Sequence, residues 1–460
     1  MNNTDINTDI NTDINTDINT DINTDINTDI NTDINTDINT DTYMINNIES
    51  LLQKNNLFNS EEIQDINTII DDLFKEYIEK NILSMNNPDF DNNLTKYIYL
   101  NLSEQILHLY NNSTLYRAKS KLKRLISKKK FQLYSTVVPR RSQKTSFIRK
   151  VKPKIDELTK KINILLNIPQ PDQRTDEWYV FRHSLLTASS IWKVFGTQST
   201  QNQIIYEKCK PHTLFNNPSL DSPLHWGQKY EPVSTEFYKK LYNTEITDFG
   251  CIKHNKYPFI GASPDGINTK INNPRYGRML EIKNIVNRVI NGNPKFEYWI
   301  QMQLQMETCD LNECDFLETK FIEYQSEDTF NLDGSFSKSH DNKLKGRMIL
   351  FTDNGNTHYE YAPLEITLEE YEEWEKDILE KNEHKEWIKN IFWKLEKYSN
   401  VLVLRNKLWF QKCLPHIEAL WNIILEERLT GYEHRGPKKR KQNTQQITSN
   451  KCFINISKLE

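Results

Sequence analysis

The amino-acid sequence predicts an α/β protein whose core domain spans residues 160–362, with helical regions added on both sides. Three observations lead there. Between 160 and 360, short β-rich runs alternate with helix-like segments and turn signals, the texture of an α/β layer. Ten of the twelve glycines lie between 196 and 355, where tight turns near a site need them. On either side, apolar residues recur instead at three- and four-residue spacing. At 460 residues the chain has room for two to four domains, and 11% aromatics leave material for a core despite 27% charged residues.

Residues 1–42 stand apart. Asn-Thr-Asp-Ile repeats nine times from Asn3 to Ile38, and Asn39-Thr40-Asp41-Thr42 is a degenerate tenth copy. Asn, Thr and Asp compete for their own backbone, and one Ile per repeat buries little, so a disordered acidic tail is expected. The tail holds ten Asp and no Lys or Arg. Without it the chain carries 59 Lys+Arg against 53 Asp+Glu, a formal +6 where the whole is −4.

Residues 43–115 are expected to be helical, from Ile48, Leu51, Leu52 and Leu57 and then Ile69, Ile70, Leu73, Phe74 and Ile78, with breaks at Asn86-Asn87-Pro88 and Asn111-Asn112. Residues 116–159 read as a basic linker or helix: fifteen Lys or Arg fall between Arg117 and Lys154 with no acid. Such a stretch binds a phosphate backbone, or is a solvated face, and carries no base specificity in either case. Residues 363–430 are expected to be helical, through Leu368, Trp374, Ile378, Leu379, Trp387, Ile388, Ile391, Phe392, Trp409 and Trp421. Residues 431–460 form a basic polar tail. Its Pro437-Lys438-Lys439-Arg440-Lys441 reads as a nuclear import signal, a solvated tail or a DNA contact.

Several classes are excluded. No run of 18 apolar residues is present, so no membrane-spanning helix is expected. The opening Met1-Asn2-Asn3-Thr4-Asp5 has neither the basic nor the apolar region of a signal peptide, which points to an intracellular protein. The six Cys, at 209, 251, 309, 314, 413 and 452, form no CxxC pair, so a reduced protein is expected rather than a zinc ribbon or disulfide framework, with Cys309 and Cys314 as buried or idle thiols. No Walker-type phosphate loop appears, which removes an ATPase motor.

The chemistry concentrates between Phe259 and Lys283. Phe259-Ile260-Gly261-Ala262-Ser263 reads as a strand, Pro264-Asp265-Gly266 as a turn exposing a carboxylate, and Met279-Leu280-Glu281-Ile282-Lys283 as a second strand. Side chains alternate along a strand, so Glu281 and Lys283 share one face while Leu280 and Ile282 take the other. An acid and a base on one face of an apolar strand suit a site, although a surface Glu–Lys pair has the same pattern. With Asp265 at the end of a neighbouring strand, two carboxylates make hard oxygen donors for Mg²⁺ or Mn²⁺. The Lys283 ammonium can then orient the attacking water or stabilise charge on a phosphate.

Ser263-Pro264-Asp265-Gly266 followed by Leu280-Glu281-Ile282-Lys283 resembles the PD-(D/E)xK nuclease core, and more narrowly the YqaJ viral recombinase branch that includes lambda exonuclease. Three further segments resemble that branch in order. Arg174 to Arg182, with Trp178, leads into Leu186-Thr187-Ala188-Ser189-Ser190. Trp226-Gly227-Gln228-Lys229-Tyr230-Glu231 resembles its Gly-x-x-x-Glu helix start, and Tyr298-Trp299-Ile300-Gln301-Met302-Gln303-Leu304-Gln305 its Tyr-x-x-Gln-x-Gln helix. The resemblance covers about 170–360 and implies a mixed sheet flanked by helices.

It also implies residue roles. Asp265 and Glu281 would bind the metal with the Ile282 carbonyl, Glu231 would approach it directly or through water, and Lys283 would be the catalytic lysine. Gln301 matches the glutamine beside the site, with Gln303 as a second candidate. Arg182 matches the arginine that receives a terminal 5′-phosphate, with Ser189 nearby as a donor. Trp178, Thr187 and Ser263 fall in the same motifs. Thr187 or Ser189 can cap a helix beginning around Ile191, which would favour a phosphate there. Arg182 otherwise reads as a surface partner of Asp176 or Glu177, and Glu231 as an acid favoured by a helix N-terminus.

The implied activity is a Mg²⁺-dependent deoxyribonuclease, a 5′-to-3′ exonuclease acting on double-stranded DNA ends in recombination, repair or end processing. A structure-specific endonuclease and a non-cutting DNA-binding protein on the same fold are the alternatives. A single-strand annealing protein and homo-oligomer formation are implied as associations. The abundance of Asn, Ile, Lys and Tyr suits an AT-rich genome such as that of a large DNA virus of protists, which places the protein in infected-host cytoplasm or a virus factory, with the nucleus as another option.

Overall fold

In the computed structural model the described residues are 57–87, 89–110, 112–135, 154–173, 175–211, 222–353 and 355–437. The repeat tail, residues 136–153 of the basic stretch and the basic segment after Pro437 lie outside them. The chain divides into two compact units: 1–77 with 92–131, and 78–91 with 132–460.

The first unit is helical, as its periodicity requires. Helices α1 (Ser60–Asn81), α2 (Phe90–Ile106) and α3 (Asn112–Ser135) supply it, the first two separated at Asn86 and Asn87 as expected. On α1, Ile66, Ile70 and Phe74 form one buried stripe at four-residue spacing. Helix α3 runs across the expected boundary at 115/116.

The second unit carries the sheets. Its helices are α4 (Ile155–Asn167), α5 (Asp176–His183), α6 (Ala188–Ile191), α7 (Gln198–Cys209), α8 (Pro223–Tyr242), α9 (Phe296–Thr308), α10 (Glu327–Leu332), α11 (Leu368–Lys381) and α12 (Lys407–Thr430). Its strands are β1 (Leu186–Thr187), β2 (Ile246–Thr247), β3 (Ile252–Lys253), β4 (Ile260–Ala262), β5 (Gly266–Asn268), β6 (Met279–Asn284), β7 (Glu313–Glu323), β8 (Lys345–Asp353), β9 (Asn356–Tyr361) and β10 (Glu386–Leu404). Seven form a mixed sheet in the order β2-β5-β6-β7-β10-β8-β9, and β1-β4-β3 form a small second sheet. In the large sheet only β6–β7 is parallel. This is the helix-flanked mixed sheet that the PD-(D/E)xK resemblance implies.

The faces of β6 sort as strand alternation requires. Leu280 and Ile282 pack with Leu317 against Tyr238 of α8. Met279 turns the other way, into a cluster with Met302 and Met306 of α9. That second face is the one Glu281 and Lys283 share. A third cluster joins Ile300 and Leu304 of α9 to Trp409, Phe410, Cys413, Ile417 and Ile424 of α12.

The helical expectation for 363–430 is corrected by β10. Residues 386–404 form a 19-residue strand between β7 and β8, with α11 and α12 on either side of it in sequence. Trp387, Ile388, Ile391 and Phe392 mimic a helical stripe because register shifts at Trp387/Lys389 and Leu395/Lys397 interrupt the two-residue alternation. The α/β unit therefore extends past 362. No described helix is long and apolar enough to cross a membrane.

Candidate active site

Asp265 sits where the chain passes from β4 in the small sheet to β5 in the large one. It is half-buried rather than displayed on an open turn, which corrects the sequence expectation. The next residue must be small: a Cβ on Gly266 would collide with the Ile246 side chain. The antiparallel pairing of β5 with β6 then brings Asp265 to Ile282, whose backbone N–H donates to Asp265 Oδ2 at 2.7 Å. A strand residue points its N–H and C=O to the same edge, so the Ile282 carbonyl opens toward Asp265 too.

Glu281 is wholly buried, and both of its carboxylate oxygens are engaged. Lys283 forms an ion pair with Oε1, and Gln305 Nε2 on α9 donates to Oε2 at 2.6 Å. Loss of water would lower the Lys283 pKa, but the charges of Glu281 and Asp265 outweigh it and hold the amine above its ordinary value, so it is an ammonium. Its Nζ also lies 5.1 Å from the centre of the Tyr298 ring. The Asp265 carboxyl is pushed well above its ordinary value, first by burial and then by the charges of Glu281 and Glu231. Glu231 thus acts electrostatically on Asp265, and both line one cavity of about 1160 Å³. It lies eight residues into α8, not at its start, so a helix N-terminus does not explain its placement.

A second cluster centres on Arg182, near the end of α5. Its Nη1 donates to Ser263 Oγ at 3.0 Å and its Nη2 to Ser189 Oγ at 3.2 Å, while the guanidinium stacks 4.2 Å from the Trp178 ring centre. The helix that presents it is capped by Thr175, which accepts from the Trp178 N–H. The helix after Thr187 begins at Ala188, not near Ile191. Thr187 holds the cap position without a side-chain cap bond, and its hydroxyl lies 3.0 Å from Ser190 Oγ instead.

Ser263 joins the two halves. Its hydroxyl accepts from Arg182, and its carbonyl accepts from Gln305 Nε2 at 3.3 Å. The structure therefore brings together Arg182, Ser189, Ser263, Asp265, Glu281, Ile282 and Lys283. The glutamine bonded to this group is Gln305, in place of the expected Gln301, which is half-buried one turn earlier on α9. Gln303 faces elsewhere: it donates to the Leu404 carbonyl and accepts from the Asn406 N–H, bracing the link from β10 to α12. Tyr298, Gln301 and Gln305 share a helix side, so spacing alone admits either glutamine.

The donors suit a small divalent cation. They are hard oxygens: two carboxylates, a strand carbonyl and a third acid within electrostatic reach. Gln305 Oε1 is buried beside Glu281 with no hydrogen-bond partner, an acceptor suited to a metal-bound water. Among the described residues no three His, Cys, Asp or Glu side chains converge as a ready-made cage, so a carbonyl and waters would complete the shell. The five described cysteines are buried and in no disulfide, Cys309 and Cys314 among them.

Uncharacterized protein R354 of Acanthamoeba polyphaga mimivirus is 30% identical over 303 residues, covering 58% of this chain. The chain spans about half, 54%, of that relative's length. The alkaline exonuclease LHK-Exo of Laribacter hongkongensis aligns with 55% of this chain and 94% of its own at 18% identity and a TM-score of 0.33. A phage-related exonuclease from Haemophilus somnus 129PT aligns with 53% of this chain and 94% of its own at 13% identity and a TM-score of 0.31. Residues 177–312, which hold Arg182, Glu231, Asp265, Glu281, Lys283 and Gln305, match the YqaJ-like viral recombinase domain.

Proposed function

We propose that this chain is a metal-dependent deoxyribonuclease that removes nucleotides from duplex ends in the 5′-to-3′ direction. The observation that carries the reading is the Ser263 link: one residue ties an arginine–serine cluster to a half-buried and a fully buried carboxylate with a charged lysine. A terminal phosphate held by Arg182 and Ser189 would set the scissile bond against Asp265, Glu281 and Lys283.

Mg²⁺, or Mn²⁺ in its place, would be held by Asp265, Glu281 and the Ile282 carbonyl, with Glu231 adding charge. The ion when bound supplies Lewis-acid activation of water and charge neutralisation. Gln305 fixes the Glu281 carboxylate, and the Ile282 N–H fixes that of Asp265. Lys283, held as an ammonium, supplies positive charge where the phosphate gains negative charge. The Arg182 fork offers planar donors to a phosphate, its orientation fixed by Ser263, Ser189 and the Trp178 face. The match to a viral recombinase domain and the mimivirus relative support a role in viral DNA recombination or repair, in infected-host cytoplasm or a virus factory. A single-strand annealing protein would be a fitting partner, and a homo-oligomer a fitting assembly.

The test is digestion of end-labelled linear duplex DNA with Mg²⁺, using 5′-phosphate and 5′-hydroxyl ends, covalently closed circles and the Lys283→Ala variant. Loss of linear DNA alone, faster from 5′-phosphate and absent in the variant, is the expected result. Cutting of circles would favour the structure-specific endonuclease. Retained binding without metal-dependent cutting would leave a binding protein.

A further inference from the structure

Helix α3 lies outside the matched domain and presents a second chemistry. Its 24 residues include eight Lys or Arg and no Asp or Glu. Some of these cations are occupied within the first unit. The Lys121 amine is buried and donates to the Phe58 carbonyl, Lys129 pairs with Asp71 at 2.9 Å, and Lys130 donates to Thr95. Ala118, Leu122, Leu125 and Ile126 form the buried face.

The exposed residues sort to the opposite side. At 100° per residue, Tyr116, Arg117, Lys119, Lys123, Arg124 and Phe131 fall within one half of the helix circumference. Arg117, Lys119, Lys123 and Arg124 are exposed, and so are Tyr116 at 71% and Phe131 at 50%. Like charges four apart, as at Lys119 and Lys123, oppose helix formation. A helix that needed only solubility would intersperse acids. A helix face with four exposed cations, no acid of its own and exposed rings beside it is complementary to a polyanion whose bases can stack.

We propose that the exposed face of α3 binds a nucleic-acid phosphodiester backbone, as a contact separate from the catalytic residues. It stands independently of the nuclease reading, because it needs only the polyanion.

The test uses the full chain with Arg117, Lys119, Lys123 and Arg124 changed to Gln. A control carries the same charge change at the exposed Lys376, Lys381, Lys389 and Lys397. Binding to a 60-base-pair duplex and to a 60-nucleotide single strand is followed by fluorescence anisotropy from 50 to 300 mM salt, without divalent ions. Each lost phosphate contact lowers the slope of log K against log salt by about 0.9 on duplex and about 0.7 on single strand. The α3 variant should therefore lose up to about 3.6 or 2.8 in slope, and the control less than about 1. The arm with the larger loss of affinity identifies the source of the backbone. A slope equal to the control's on both DNAs, with unfolding temperature unchanged, would overturn the proposal. If the quadruple variant unfolds, Lys119→Gln with Lys123→Gln decides by the same reading at half the size. Cutting of a short duplex by the α3 variant is measured alongside. Its persistence with a lowered slope separates this surface from the active site, and failure of the nuclease reading would leave the slope test intact.

Discussion

Replacing Gln305 with Leu tests which glutamine of α9 serves the site. The substitution roughly keeps the volume and removes the amide that donates to Glu281 Oε2 at 2.6 Å. Glu281 is fully buried, so water cannot replace that donor. A hydrogen bond to a buried charged group contributes about 1.5–3 kcal/mol, which corresponds to about 10- to 150-fold in rate if the bond holds Glu281 in its reactive orientation. Gln301→Leu, one turn away, should cost less than about 3-fold. The assay is single-turnover cleavage of linear duplex at saturating Mg²⁺, with unfolding temperatures recorded for both variants. A larger loss for Gln301→Leu than for Gln305→Leu, with both folded, would refute the assignment and restore the sequence-based choice.

Arg182→Ala should raise KM for 5′-phosphorylated ends by about 10- to 150-fold, from the loss of charged hydrogen bonds, and leave 5′-hydroxyl ends nearly unchanged; steady-state cleavage of the two substrates checks this. Lys208 gives a stability prediction. Burial first, then the charges of Arg182 and Arg428, lower its amine pKa to about 7 in the folded protein. Its unfolded value lies near 10.4. Between these values the unfolded chain binds more protons, so this group makes stability rise with pH from about 7 to about 10. Below pH 7 both states are protonated and its penalty is complete. Lys208→Met should flatten the dependence by up to about 1.4 kcal/mol per pH unit in that window, read from urea unfolding at pH 7, 8 and 9; parallel curves would refute it.

The candidate catalytic strand was legible because strand alternation is a short-range rule. Glu281 and Lys283 on one face and Leu280 and Ile282 on the other follow from β6 alone. Asp265 needed one further step, the β5–β6 pairing, and the two-strand reading approximated it. The role of Ser263 was less visible, because its two bonds reach α5 and α9, distant in sequence. Strand β10 looks helical in sequence because its bulges give apolar residues a helix-like spacing. The choice between Gln301 and Gln305 depended on where α9 crosses the sheet, which spacing along one helix cannot decide.

The placement of Arg182 also depends on a helix beyond the matched residues 177–312. The Lys208 amine donates to the Arg182 carbonyl at 2.7 Å. Arg428 of α12 donates to the Lys208 carbonyl through Nε at 3.0 Å and Nη2 at 2.8 Å, and to the His183 carbonyl at 3.4 Å. The chain of contacts runs from α12 through the end of α7 to the end of α5, where Arg182 projects. Arg428→Ala would leave these carbonyls without their donor, a cost of about 1–3 kcal/mol, and loosen the end of α5. Arg428 touches no reacting atom, so it is a positioning residue. Its loss should raise KM for 5′-phosphorylated ends by about 5- to 10-fold while kcat and cutting of 5′-hydroxyl ends hold. Arg428→Lys should recover part of the affinity, because an ammonium can still reach one carbonyl. Equal slowing of both kinds of end at unchanged unfolding temperature would mean that α12 supports the whole site rather than its phosphate half.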